Sequence, residues 1–215
     1  MLLQGYFDDS GSHAGSNWYV LGGFLSTAAN WKLFSDAWQE ALRKEPAIDY
    51  FKMNEARTLD GQFKGWPAAL RDQRVIELAE VADKYSVARI AAVMRQEDFN
   101  QHIKGVSPWK ELDDPYFMLF YQIIVLTANF LQKLGENTDL DVSGAEVDFV
   151  FDEQGSIGLN ALSWWDVFKQ ALDPNLLRFL GSSPISAQIA RCYHFKQQTS
   201  MRGTHVMYLR AATIV

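Results

Sequence analysis

The sequence predicts a single α/β domain in which a mixed β-sheet is flanked by helices. Three observations carry that expectation. Apolar runs of strand length alternate with longer segments whose apolar residues recur at helical spacing. At 215 residues the chain suits one domain and can enclose a sizeable core. Its 48% hydrophobic and 21% charged residues are ordinary for a globular protein, and neither repeats nor a linker divide it.

The first strand is predicted from the apolar run Leu2–Phe7, which leads into Asp8, Asp9, Ser10 and Gly11. Trp18 to Leu25, with Gly22 and Gly23 inside it, reads as a second strand paired antiparallel with the first. Asn30 to Lys44 is an amphipathic helix: Trp31, Phe34, Ala37, Trp38, Ala41 and Leu42 share one face, and Pro46 stops it. Its tryptophans are expected in the core. Ile48 to Met53 reads as a short strand, followed by a polar loop with Asn54, Glu55, Arg57 and Asp60. A second amphipathic helix is predicted over Ala68–Tyr85, and a strand over Ser86–Met94. Gln96 to Lys104 reads as a short helix, broken by Gly105 and Pro108.

Asp113, Asp114 and Pro115 form a helix-start signal for the apolar stretch Tyr116–Leu134. Gln122, Thr127 and Asn129 interrupt that stretch, which is short for a membrane span, so a buried helix is expected. A polar loop, Gly135–Gly144, precedes the strand Ala145–Phe151, which ends in Asp152 and Glu153. A helix over Ile157–Leu172 and a strand over Pro184–Ala190 complete the pattern. From Cys192 onward neither period is visible.

Acidic residues outnumber basic ones, 26 to 20, so no overall basic field attracts nucleic acid. A simple nucleic-acid-binding module is disfavoured, but a metal-dependent nuclease remains open because its cations supply local positive charge. The single Cys192 excludes an intramolecular disulfide framework and a cysteine zinc site. No secretion signal is read at the N-terminus, so the expected location is cytoplasmic, without a membrane partner. His13, His102, His194 and His205 show no metal-ligand spacing, and P-loop, dinucleotide and serine-elbow motifs are absent.

Two strands that end in adjacent carboxylates, Asp8/Asp9 and Asp152/Glu153, form the principal chemical signal. Magnesium takes oxygen ligands, keeps several waters, and often joins one or two carboxylates to a phosphate. A pair of such ions about 4 Å apart can activate water for phosphodiester hydrolysis. Glu55 is a further candidate ligand, and Lys52 a candidate phosphate contact. The plain alternative is a strand followed by an Asp/Ser/Gly turn, whose side chains hydrogen-bond only their own backbone.

Tyr6-Phe7-Asp8-Asp9-Ser10-Gly11, followed by the strand with Gly22-Gly23, resembles the start of the domain of unknown function 3800 family. That family, widespread in bacteria and phages, is grouped with ribonuclease H-like folds. Its members begin with a strand ending Asp-Glu-Ser-Gly; Asp8 matches the first position and Asp9 replaces the Glu. Asp152 in Phe149-Val150-Phe151-Asp152 matches a later family aspartate. The resemblance covers roughly residues 1–190 and implies one ribonuclease H-like domain with a nuclease-like site for Mg2+ or Mn2+.

The family's third signature, a late helix opening Leu-Gln-Ala-Ala-Asp, is missing from the written chain. Joining the third base of each codon from Cys192 to Thr199 with the first two of the next permits Leu-Pro-Leu-Gln-Ala-Ala-Asp. Residues 191–215 are therefore expected to be an aberrant tail, a shifted-frame translation of that helix. Such a chain lacks its third acidic ligand and is expected to be impaired.

The resulting expectation is a divalent-metal-dependent nuclease or phosphodiesterase acting on nucleic acid. Asp8 and Asp152 are the principal ligands and catalytic carboxylates, with Asp9, Glu55 and Glu153 as further ligands. Two alternatives stay open: a non-catalytic interaction module of phage or defence systems, and a hydrolase of small phosphorylated molecules.

Overall fold

The computed structural model describes residues 2–11, 16–108, 110–139, 142 and 145–151. Strand β1 (Leu2–Ser10) pairs antiparallel with β2 (Trp18–Thr27), from Leu3↔Thr27 to Ser10↔Val20. Strand β3 (Ala88–Arg95) continues the meander against β2, from Leu25↔Ala88 to Trp18↔Arg95. Strand β4 (Glu146–Phe151) lies on the other side of β1 and runs parallel to it, from Leu2↔Glu146 to Phe7↔Phe151. The sheet is mixed, with order β3-β2-β1-β4, and β1 is interior. β3 and β4 run the same way at opposite edges of this sheet, so a long helical connection rather than a tight turn joins them.

Helix α1 (Ala28–Arg43) follows β2 directly, and the Thr27 hydroxyl caps it by accepting from the Asn30 amide at 3.2 Å. Helix α2 (Met53–Thr58) is short, and α3 (Ala68–Tyr85) packs beside α1. A single turn, α4 (Gln96–Asp98), runs on into a π-helical turn over Phe99–Ile103. Helix α5 (Pro115–Asn137) starts as its sequence signal predicts, with the Asp114 carboxylate accepting from the Tyr116 amide at 2.9 Å.

Strand alternation sends successive side chains to opposite faces, and each face has its own core. Leu3, Phe7, Leu21, Leu25, Ile90, Ala92, Val147 and Phe149 meet Phe117, Phe120, Ile123, Ile124, Ala128 and Leu131 of α5. On the other face α1, α2 and α3 enclose a second core. There an aromatic chain runs Trp31–Phe34–Trp38–Phe51–Phe63–Trp66, with neighbouring centroids 5.0–6.2 Å apart. The α1 tryptophans are core anchors, as expected. Trp31 also donates its indole N–H to the Gln4 carbonyl at 2.9 Å, which docks α1 on β1. Helix α5 is apolar and long enough to cross a membrane, but it lays its apolar face on the sheet.

Three local expectations are corrected. Ile48–Met53 is not a strand: Ile48 and Phe51 are buried among α1 and α3, and the segment joins no ladder. Its Asp49 amide instead donates to the Gln62 side chain at 2.8 Å. The polar stretch after it is not a loop throughout, because Met53–Thr58 is helical and closes on Leu59 in the left-handed region. Helix α5 also runs three residues into the loop expected from Gly135. The helix expected over Ile157–Leu172, the strand over Pro184–Ala190 and the tail 191–215 lie outside the described residues.

Candidate functional site

The end of β1 is built around Phe7. Its ring, 3% exposed, stacks on Phe149 and Phe151 of β4, at 5.9 and 5.4 Å between centroids. Phe120 of α5 backs Phe151 at 4.7 Å. Two glycines make room for this ring. A Cβ at Gly5 would lie 2.5 Å from Phe7, and one at Gly23 would lie 2.7 Å from it and 1.9 Å from the Tyr6 carbonyl oxygen. The aromatic stack fastens β1 to β4 one residue before Asp8.

Asp8 is half-buried and sits opposite Gly22 of β2. It shares its face with Tyr6, whose ring meets Trp31 of α1 edge-on at 5.0 Å. Because β1 stays extended through Ser10, Asp8 and Asp9 leave opposite faces of the sheet. Asp9 stands opposite Leu21, which belongs to the α5-side core. The adjacent carboxylates therefore do not converge on one point. Asp8 Oδ1 accepts from the Asp9 amide at 2.9 Å, the local hydrogen bond that the plain turn reading anticipates.

The turn that follows is held from a distance. Gly11 has φ +86°, and a Cβ there would lie 1.9 Å from the Trp18 carbonyl oxygen, so glycine is required. Gln96, at the junction of β3 and α4, donates its side-chain amide to the Gly11 carbonyl at 3.2 Å. Its backbone amide donates to the Asn17 carbonyl at 3.0 Å. Sequence reasoning missed Gln96, and nothing local marks it: 85 positions separate the partners. Ser10 stands opposite Val20, and His13 lies outside the described residues.

Glu55 lies on α2 with its carboxylate engaged in the local loop. It accepts from the Tyr50 hydroxyl at 3.2 Å and the Gln62 amide at 3.1 Å, and pairs with Lys52 at 3.6 Å. A Cβ at Gly61 would fall 2.0 Å from Glu55 Oε2, so this glycine lets the carboxylate close over the turn. These contacts make Glu55 and Lys52 partners in a loop clamp. Asp152 and Glu153 lie outside the described residues. Among the described residues no group of three or more His, Cys, Asp or Glu side chains is arranged to hold a metal ion.

No family model matches the chain, and no curated protein matches it either. The described residues form a mixed α/β protein whose four-stranded sheet carries helices on both faces. The described part of the candidate site offers two half-buried carboxylates at the end of an interior strand, Asp8 on the α1 side of the sheet and Asp9 on the α5 side. A rigid strand end fixes such a group, and a hard cation or the polarised water beside it are the species it is suited to hold.

Proposed function

We propose that this chain is a divalent-metal-dependent nuclease or phosphodiesterase of ribonuclease H-like fold, related to the domain of unknown function 3800 family and cytoplasmic. One observation carries the reading. The parallel ladder of β1 and β4 has Phe7↔Phe151 as its last described pair, and the next residue in each segment of the chain is an aspartate, Asp8 and Asp152. Ligand sites of open α/β sheets lie beyond the carboxyl ends of parallel strands, at the point where connections diverge. Beyond its carboxyl end β1 turns away towards β2, which supports a site between it and β4.

In this reading Asp8 and Asp152 hold Mg2+ or Mn2+, whose preference for oxygen donors fits two carboxylates with water and a phosphate. The ion would supply a water of lowered pKa and neutralise charge on the phosphate. Asp8 orients the bound group, and the Phe7 stack keeps the strand end from shifting. Glu153 remains a supplementary donor. Asp9 and Glu55 are peripheral, because the first faces the α5 side and the second clamps its own loop.

A second reading, the interaction module that keeps the fold without the chemistry, is favoured by the local hydrogen bond at Asp8 and by the lack of a three-ligand group among the described residues. Titration calorimetry with Mg2+ and Mn2+ separates the two. Binding heat in the parent chain, lost in Asp8→Asn and kept in Asp9→Asn, is the expected outcome. No heat in any of them, or heat indifferent to Asp8→Asn, sinks the metal reading. Incubation with labelled DNA, RNA and a panel of nucleotides then distinguishes a nuclease from a small-molecule phosphohydrolase.

A further inference from the structure

The face of the sheet that carries Asp8 is covered at one end and exposed at the other. Cross-strand rows follow from the two antiparallel registers. Tyr6, Phe24 and Arg89 form one row, and α1 covers its Tyr6 end through Trp31. The next row is Asp8, Gly22 and Ala91, then Ser10, Val20 and Val93, and last Trp18 and Arg95. Trp18 is 50% exposed and Val93 58% exposed, although both are large apolar residues within strands. The outward side of β3 therefore reads Arg89, Ala91, Val93, Arg95: two cations bracketing two apolar residues, all exposed.

Resting on the metal-nuclease reading above, we propose that this face is the track along which a single-stranded nucleic acid reaches Asp8. A base stacks on Trp18, and Arg95 and Arg89 receive phosphates. Non-specific recognition of single strands combines an aromatic platform with a cationic path. Both are present, and the Arg95 guanidinium already lies over the Trp18 ring, 5.9 Å from its centroid. Arg95 pairs with Glu97 at 2.7 Å and Asp98 at 3.9 Å, and Arg89 pairs with Asp83 at 3.4 Å. All of these carboxylates are exposed, so a phosphate exchanges for them at little cost.

Spacing agrees with the assignment. Four residues along a strand, from Trp18 to Gly22, span about 13 Å, and Asp8 stands one strand further across. Gly22 contributes no side chain between Asp8 and Ala91, so the row beside the carboxylate stays low.

Binding of a fluorescent single-stranded oligonucleotide, measured in chelator so that metal plays no part, tests the track apart from the metal site. The parent chain is expected to bind, with quenching of tryptophan fluorescence. Trp18→Ala should weaken binding about tenfold or more, while Trp18→Phe retains most of it. Arg95→Gln should lower the salt dependence by about one phosphate contact. Asp8→Asn should bind undiminished although its metal heat is lost, so failure of the metal site and failure of the track read differently. Circular dichroism of each variant excludes misfolding as the cause. Absent binding, or binding indifferent to both Trp18→Ala and Arg95→Gln, overturns the proposal. So does a dimer that Trp18→Ala dissolves in the absence of oligonucleotide binding, which would assign the face to a second copy of the chain.

Discussion

Adjacent glycines in β2 do different work, and the difference can be measured. At Gly23 a Cβ would fall 1.9 Å from the backbone oxygen of Tyr6, an atom that cannot step aside without moving β1. Gly23→Ala should therefore lower the unfolding free energy by about 1–3 kcal/mol, the usual cost of overpacking a core. At Gly22 the nearest atom to an added Cβ is Ala91 Cβ, at 3.3 Å, and the backbone stays in the ordinary strand region. Gly22→Ala should leave stability within about 1 kcal/mol of the parent, since alanine is also the better strand residue. Chemical denaturation of both variants checks the contrast, and equal losses would contradict it. The same scale explains what could be read at the acidic pair. Neighbouring aspartates in the sequence look like one site, yet the strand period turns them to opposite faces, and only knowing that β1 continues through Ser10 reveals it.

Among the elements, α1 and α3 are joined through Arg74, which stands one turn before Leu78 on the buried stripe of α3 and is only 4% exposed although charged. The guanidinium donates to the carbonyls of Lys44, Glu45 and Pro46, at 3.0, 3.5 and 3.3 Å, where the chain leaves α1. It also meets Glu77 at 3.5 Å and lies over the Trp66 ring at 5.5 Å. Arg74→Ala removes the donors to three carbonyls together with the buried packing against Trp66, so it should cost about 1.5–3 kcal/mol, the range for hydrogen bonds to a charged group. Arg74→Lys should recover only part of that, because one ammonium cannot reproduce the planar fork. Thermal unfolding of the two variants, with Ala below Lys and Lys below the parent, is the expected order. The longer helices and the strands were legible because each has a clear period, and α5 also because Asp114 and Pro115 mark its start. Ile48–Met53 misled because a short apolar run has no period of its own. Its Ile48 and Phe51 satisfy a helical core as well as they would a sheet.

At the scale of the molecule, a sheet fastened by Phe7, Phe149 and Phe151 brings the ends of β1 and β4 together, and the proposed site draws on Asp8 and on Asp152, the residue that follows Phe151 in the sequence, to bind its ion. Two carboxylates leave much of a divalent ion's shell to water, and each further carboxylate raises the affinity through its charge. The family resemblance expects a third aspartate from a late helix, in a stretch where the written chain has Cys192 to Thr199. The degeneracy of those codons permits Leu-Pro-Leu-Gln-Ala-Ala-Asp in the shifted frame, and the coding DNA settles which bases are present. The expected finding is a shifted frame that reads Gln-Ala-Ala-Asp and continues as an amphipathic helix. A protein made in that frame should bind Mn2+ more tightly than the present chain and unfold at a higher temperature, because it regains both a ligand and an apolar face. Replacing the restored aspartate by asparagine should remove the gain in affinity while leaving the gain in stability. If the shifted frame lacks that aspartate, Asp8 and Asp152 have no third partner of the family's kind, and the interaction-module reading becomes the better one.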